Sequence, residues 1–225
     1  MELVLGLEVL REIANKRPQS SFTVRTKLRN LLSTPGRLQT DAFQMSFSGN
    51  ADELGQWRGY AANGVGCSVV TDTLAVQNVA DVAGWILYDE KKQRAFARKV
   101  LRLLRNETDP NTIEKVLVAA ACYIKHGGFR PEQEFRLLKF PQISDIRFRE
   151  SGDRLVPYVD YLFGQPPLPV KLIVIGPGWQ LSHLMNSDPA AFARHHVVQG
   201  IKRLLDARGL SNIGIESSKI PYDPK

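Results

Sequence analysis

Phe43-Gln44-Met45-Ser46-Phe47-Ser48 alternates strictly between apolar and polar side chains. This period of two predicts a β-strand with one buried face, and Gly49 then ends it. Working outward, apolar side chains at helical spacing predict helices over 3–16, 89–105, 110–126 and 189–208. Asn50 and Glu53 have the spacing of a capping box, which predicts a short helix through Trp57 and Tyr60. Further strands are predicted at 67–71, 82–88, 132–140, 146–149, 155–162, 170–175 and 213–216.

The order of these elements decides the fold class. Strands and helices do not alternate regularly, so we predict an α+β fold with a mixed, largely antiparallel sheet or sheets flanked by helices. The chain has 225 residues, a length compatible with one domain over 1–225. Neither a repeat nor a composition shift indicates a boundary.

Composition excludes several classes of protein. The two cysteines, Cys67 and Cys122, are far apart in sequence, which excludes a disulfide scaffold and a thiolate zinc site and favours the cytoplasm. The sequence contains no apolar run long enough to predict a membrane span, and its first residues do not form a signal peptide. The adjacent His195 and His196 would diverge on a helix, so no metal site is predicted.

Positive charge is concentrated on the predicted helix 89–105. The formal net charge is +7, which is compatible with a polyanionic partner. A row of cations on this helix could follow nucleic-acid phosphates, or it could simply be a solvated helix face. The row consists of Lys91, Arg94, Arg98, Arg102 and Arg105, with Phe96, Val100, Leu103 and Leu104 expected on the apolar side.

Two glycine pairs do not satisfy the phosphate-binding fingerprints. Gly64-x-Gly66 and Gly176-x-Gly178 both lack the third glycine, and no Gly-Lys-Ser/Thr is present. We interpret both pairs as turns.

Several motifs occur in a fixed order along residues 46–222. They are Ser46-Phe47-Ser48, Trp57-Arg58-Gly59-Tyr60, Lys125 with Phe129-Arg130-Pro131-Glu132-Gln133-Glu134-Phe135-Arg136, Gly176-Pro177 after a strand, and Ser218-Lys219-Ile220-Pro221-Tyr222. In this combination they resemble a bacterial family of domains of unknown function, family 2971. The resemblance implies a short strand before the first helix. The sequence begins at that helix, so either its start is misassigned or this member has lost the strand. The Arg that follows the last Tyr in the family is replaced in this sequence by Asp223.

The Ser-x-Ser and Glu-x-Glu elements are also similar to those of ADP-ribosyltransferases. That resemblance implies NAD as substrate, with Ser46 and Ser48 supporting the nicotinamide-ribose pocket. Glu134 would be the catalytic carboxylate that stabilises an oxocarbenium-like transition state, and Glu132 would position the acceptor. If extended, the two glutamates would share one strand face. The remaining pocket residues are expected to be Trp57 or Tyr60 for ring stacking, Arg58 and Arg136 for the pyrophosphate, and Lys125 as a site cation or helix cap.

Each motif also has a structural interpretation. A Ser-x-Ser face is commonly the solvated side of an edge strand, Glu-x-Glu beside arginines is commonly a surface ion-pair ladder, and a Trp is commonly buried.

Two hypotheses for the function follow. The first is an NAD-using transferase or glycohydrolase that serves as a toxin or phage-defence effector. The alternative is a non-catalytic nucleic-acid- or protein-binding module of a defence or toxin–antitoxin assembly.

Overall fold

The computed structural model describes residues 2–17, 21–33, 41–161, 169–178 and 189–221. The α-helices are α1 Glu2–Asn15, α2 Phe22–Ser33, α3 Leu54–Tyr60, α4 Thr73–Gln77, α5 Glu90–Leu103, α6 Pro110–Cys122 and α7 Pro189–Ala207. The strands are β1 Phe43–Ser48, β2 Cys67–Thr71, β3 Val82–Trp85, β4 Glu134–Lys139, β5 Arg147–Ser151, β6 Arg154–Tyr158, β7 Val170–Ile175 and β8 Gly214–Ser217. The predicted mixed α+β class with largely antiparallel sheets is confirmed.

The chain divides into two compact units. The first comprises Met1–Ser48 and Gln77–Leu162, and the second comprises Gly49–Val76 and Phe163–Lys225. Across the described ranges, no helix is both long enough and apolar enough to cross a membrane.

A helical core fills part of the first unit, where α1, α2, α5 and α6 contribute buried side chains. Leu7 and Leu10 of α1 are fully buried with Leu28 of α2 and Leu117 of α6. Gly6 allows α1 to approach α6 closely, because a Cβ atom there would lie 2.3 Å from the carbonyl oxygen of Ala121. Helices α1 and α6 were predicted from their apolar spacing, whereas no helix was predicted for the segment that forms α2.

The first unit also contains a three-stranded sheet in the order β1-β4-β3, antiparallel throughout. In its register Ser46 lies opposite Arg136, and Ser48 lies opposite Glu134. The strand predicted over 132–140 is shorter than expected, because Gly127–Glu132 forms a 3-10 helix and Gln133 takes a left-handed φ of 43°. The expectation that Glu132 and Glu134 share a strand face is therefore wrong.

Helix α5 begins at an N-cap, Asp89, whose carboxylate accepts the backbone N–H of Lys92. Leu103 was predicted to lie on the buried side of α5, but it is 72% exposed, whereas Val100 and Leu104 are buried as predicted.

The capping box predicted from Asn50 and Glu53 before α3 is wrong in detail. Glu53 is the N-cap and accepts the backbone N–H of Gln56.

The second unit contains the sheet β2-β7-β8, in which β2 pairs antiparallel and β8 parallel with β7. The two glycine pairs extend this pairing, because the N–H of Gly176 donates to the carbonyl of Gly66 and that of Gly178 to Gly64, each at 2.9 Å. A Cβ atom on Gly176 would lie 2.2 Å from the carbonyl oxygen of Gly64. The glycines therefore permit a close approach of two backbone segments.

Candidate functional site

The carboxylate of Glu134 lies at the centre of a buried charged cluster in the first unit. Glu134 is the first residue of β4, and the hydroxyl of Ser46 on the neighbouring strand β1 donates a short hydrogen bond to its Oε1. The side chain of Glu134 is only 7% exposed, whereas Ser46 is exposed. Ser48 donates to the backbone carbonyl of Glu132 at 3.0 Å. The structure thus brings the Ser-x-Ser and Glu-x-Glu motifs into contact.

Lys125 joins the carboxylates of the cluster. Its Nζ lies 2.5 Å from Glu132 Oε2, 2.9 Å from Glu2 Oε1 and 3.2 Å from Glu134 Oε2. The ring of Phe129 lies 4.9 Å from the same nitrogen. Although Glu132 and Glu134 do not share a strand face, both therefore reach one ammonium group.

Arg136 completes the cluster from two residues further along β4. Its Nε and one terminal nitrogen contact Glu134 Oε1 at 2.8 and 2.6 Å, and that terminal nitrogen also lies 3.1 Å from Glu2. The other terminal nitrogen donates to the carbonyl of Cys122 at 2.5 Å. Since these guanidinium nitrogens all have protein partners and the residue is 2% exposed, Arg136 is engaged inside the protein. Its predicted pyrophosphate contact stays a prediction.

Neighbouring elements hold the cluster through its backbone. The N–H of Glu134 donates to the hydroxyl of Tyr88 at 3.0 Å. The amide of Gln93 on α5 donates to the carbonyl of Lys125 at 2.8 Å, and the hydroxyl of Tyr123 donates to the carbonyl of Arg136 at 3.0 Å. The start of α5 and the end of α6 thus fix the two cations relative to β4.

Four groups of the cluster, Glu2, Glu134, Lys125 and Arg136, hold one another in their charged forms. Burial raises the pKa of Glu134, but hydrogen bonds from Ser46, Arg136 and Lys125 outweigh burial and lower it. The same balance lowers the pKa of Glu2, through Lys125 and Arg136. Burial lowers the pKa of Lys125, whereas bonds to three carboxylates raise it well above its ordinary value.

The cluster carries a net negative charge, and two of its carboxylates are partly exposed. Three carboxylates and two cations give a formal net charge of −1. The most accessible charged side chains are acidic, since Glu132 is 27% and Glu2 39% exposed while Lys125 and Arg136 are buried. Positive charge that develops beside this surface would be stabilised, because the carboxylates are already fixed in place.

Two residues of this site, Glu2 and Tyr88, were not predicted to belong to it. No local pattern connects Glu2 with a strand far along the chain. Tyr88 was assigned to the end of a strand, although it follows Trp85, where β3 ends.

Trp57, Arg58 and Tyr60 belong to the second unit, and their predicted cofactor contacts stay predictions. Trp57 is 3% exposed and its indole N–H donates to Asp52 at 2.7 Å, whereas Tyr60 is 82% exposed. Asp52 also accepts the hydroxyl of Ser218 at 2.6 Å and the N–H of Lys219 at 2.8 Å. Two of the sequence motifs are thus joined by one carboxylate, while Tyr222 of the last motif lies outside the described residues.

The predicted basic row on α5 is largely solvent-facing. Lys91, Arg98, Arg102 and Arg105 are exposed. Arg94 has an ion-pair partner, because its guanidinium lies 2.7 Å from the carboxylate of Glu12 on α1. Its side chain is 41% exposed.

Comparisons with known proteins agree with part of this picture. The family model described as "Protein of unknown function (DUF2971)" matches residues 56–137. That segment includes the Trp57 motif and the motif from Lys125 to Arg136, and so supports the resemblance over this part of the chain. Searches of curated proteins and of solved structures each found no match.

Proposed function

We propose that this chain is an NAD-using ADP-ribosyltransferase or NAD glycohydrolase with an ADP-ribosyltransferase-like fold. It would act in the cytoplasm as an effector of a toxin or phage-defence system. The observation that carries the proposal is the hydrogen bond from Ser46 to Glu134 within an ionised cluster of net negative charge. It joins the two motifs on which the resemblance depends.

The chemistry of NAD cleavage fits this cluster. The bond between the nicotinamide nitrogen and the ribose anomeric carbon breaks, and nicotinamide leaves with the electron pair. Positive charge then develops at the anomeric carbon until water or another nucleophile bonds to it. A carboxylate held ionised near that carbon stabilises the charge.

We assign the roles by burial and contacts. Glu134 is the catalytic carboxylate, and Lys125 and Arg136 are positioning residues that keep it ionised and fixed. Glu132 is more accessible than Glu134 and faces the acceptor. Ser46 supplies a hydroxyl beside the catalytic carboxylate.

The direct test measures nicotinamide release from labelled NAD. We expect release by the wild-type protein, its loss in Glu134→Gln, and a reduction of about tenfold or more in Ser46→Ala. The exposed Glu150 of β5 provides a matched control, because Glu150→Gln removes one carboxylate away from these contacts. Circular dichroism confirms that each variant is folded. If wild-type protein neither binds nor cleaves NAD, the proposal is rejected.

A second candidate function, a non-catalytic nucleic-acid- or protein-binding module, is favoured by the exposed cations of α5. It predicts affinity for an acidic partner with no turnover of NAD. A salt-dependent complex with RNA or DNA, formed by protein that leaves NAD intact, would select this candidate over the first.

A further inference from the structure

We infer that nucleic acid is the acceptor of the proposed transferase, and that the exposed cations of α5 dock its phosphate backbone. The inference rests on the proposed function, because it names the substrate class that receives ADP-ribose. It draws on a different surface of the first unit, the α5 row. This row consists of Lys91, Arg98 and Arg102 of α5 and of Arg105, which lies on the 3-10 helix Leu104–Asn106 that follows α5.

The α5 row has the geometry of a linear polyanion site. Lys91, Arg98 and Arg102 are separated by seven and four residues, so they lie within about 20° of one line along α5. Arg105 follows three residues later on the 3-10 helix that continues α5. At about 1.5 Å per residue the row is roughly 20 Å long. No ion pair among the described residues involves any of the four cations. Binding to phosphates would therefore break no ion pair of the described structure.

The surroundings of the α5 row favour nucleic acid over other acidic partners. The apolar side of α5 is buried in the helical core through Ala97, Val100 and Leu101, so the helix has no apolar face to insert into a lipid surface. Leu103 is the large exposed apolar side chain on this helix, whereas stable protein interfaces have an apolar centre. A row of cations without such a centre fits phosphates, which bind mainly through charge.

The α5 row begins at the end of α5 that contacts the charged cluster. Tyr88, whose hydroxyl accepts the N–H of Glu134, immediately precedes the N-cap Asp89. Gln93, in the first turns of α5, donates to the carbonyls of Leu87 and Lys125. Lys91 lies between these two contacts in sequence. A nucleic-acid strand that followed the row would therefore pass the end of α5 that is anchored at the cluster.

The transfer step is balanced without any further reactant. A nitrogen or oxygen nucleophile of the nucleic acid bonds to the anomeric carbon of the NAD ribose as the bond to nicotinamide breaks. Nicotinamide leaves with the electron pair of that bond. If the nucleophile carries a proton, this proton passes through the accessible carboxylate of Glu132 to water.

The test incubates the full chain with NAD labelled in its adenylate part, in parallel with duplex DNA, single-stranded DNA and RNA. Label on the nucleic acid and released nicotinamide are both measured. The triple variant Arg98→Glu, Arg102→Glu, Arg105→Glu is compared with Lys202→Glu, Arg203→Glu, Arg208→Glu, which makes the same change in charge at exposed positions of the second unit. Because all of these side chains are exposed, both variants should fold.

We expect the α5 variant to lose at least tenfold in nucleic-acid labelling while nicotinamide release without nucleic acid stays within twofold, and the control variant to keep both. In a binding assay, the plot of log binding constant against log salt concentration should become less steep in the α5 variant. Three lost phosphate contacts reduce its slope by roughly 3 for duplex DNA and roughly 2 for single strands. The DNA and RNA arms identify which polymer is modified. Nicotinamide release with no label on nucleic acid, or labelling that survives the α5 reversal, would overturn the inference alone. Absence of nicotinamide release would overturn the proposed function together with it.

Discussion

Replacing Lys125 with Met tests whether the charged cluster acts as one unit. Lys125 is 7% exposed, and its ammonium contacts the three carboxylates of Glu2, Glu132 and Glu134. The Met side chain keeps the apolar stem but leaves Arg136 as the remaining cation of the cluster. Breaking a buried ion pair costs about 3–5 kcal/mol. Because Glu2 and Glu132 are partly exposed and can turn towards water, we expect a loss of about 3 kcal/mol in the free energy of unfolding at pH 7.

The loss should depend on pH in a definite direction. Folding lowers the pKa of Glu134 and Glu2, in part through Lys125. Such a carboxyl group stabilises the fold above its unfolded pKa of about 4.3, and this contribution disappears as the pH falls through the lowered folded pKa. In Lys125→Met the folded pKa values rise. The difference from wild type should therefore be largest near pH 7 and shrink below about pH 4.

Urea unfolding followed by circular dichroism at pH 7 and pH 3.5 measures this difference. Lys91→Met removes an exposed cation and should change the unfolding free energy by no more than about 0.5 kcal/mol. A loss below about 1 kcal/mol for Lys125→Met at pH 7, or an equal loss at both pH values, would refute the reasoning, because it would mean that the carboxylates do not depend on this ammonium.

Three further predictions concern packing and reactivity. Gly176→Ala should destabilise the protein by about 2 kcal/mol or more in thermal unfolding, because the new Cβ atom would overlap the carbonyl of Gly64. The control is Gly59→Ala on helix α3, where a Cβ atom would meet nothing within 4 Å. This substitution should stabilise the protein by up to about 1 kcal/mol. Ser218→Ala removes a buried donor to Asp52 and should cost about 1–3 kcal/mol, and a loss of less than about 0.5 kcal/mol would contradict the role given to that bond. Alkylation of the native protein, read by mass spectrometry, should modify the exposed Cys67 well before Cys122, because burial raises the pKa of the Cys122 thiol to about 11; equal rates would argue against this burial.

Helices and strands could be predicted from the sequence wherever their apolar side chains follow a local periodic pattern. The alternation of residues 43–48 indicated β1, and the helical spacing over 110–126 and 189–208 indicated α6 and α7. Helix α2 was missed although its buried side chains Val24, Leu28 and Leu31 have helical spacing. Basic residues and flanking prolines obscured that signal.

Long-range contacts could not be predicted from local patterns. The Ser-x-Ser and Glu-x-Glu motifs suggested a shared pocket, but the left-handed Gln133 that separates Glu132 from β4 requires tertiary contacts to fix it. Glu2 joins the cluster through the packing of α1 against α6, which no spacing in the sequence reveals. The exposed Leu103 likewise depends on which side of α5 the other helices cover.

The discontinuity of the second unit bears on how the protein is made. Strand β2 pairs with β7, so that Cys67 lies opposite Ile175 and Val69 opposite Ile173. Ribosomes add roughly 5–20 residues per second, so β2 waits roughly 5–20 s after its own synthesis before its partner strand exists. During that interval its valines have no native strand to pair with, and co-expression of a chaperone that binds exposed apolar segments should increase the yield of folded protein.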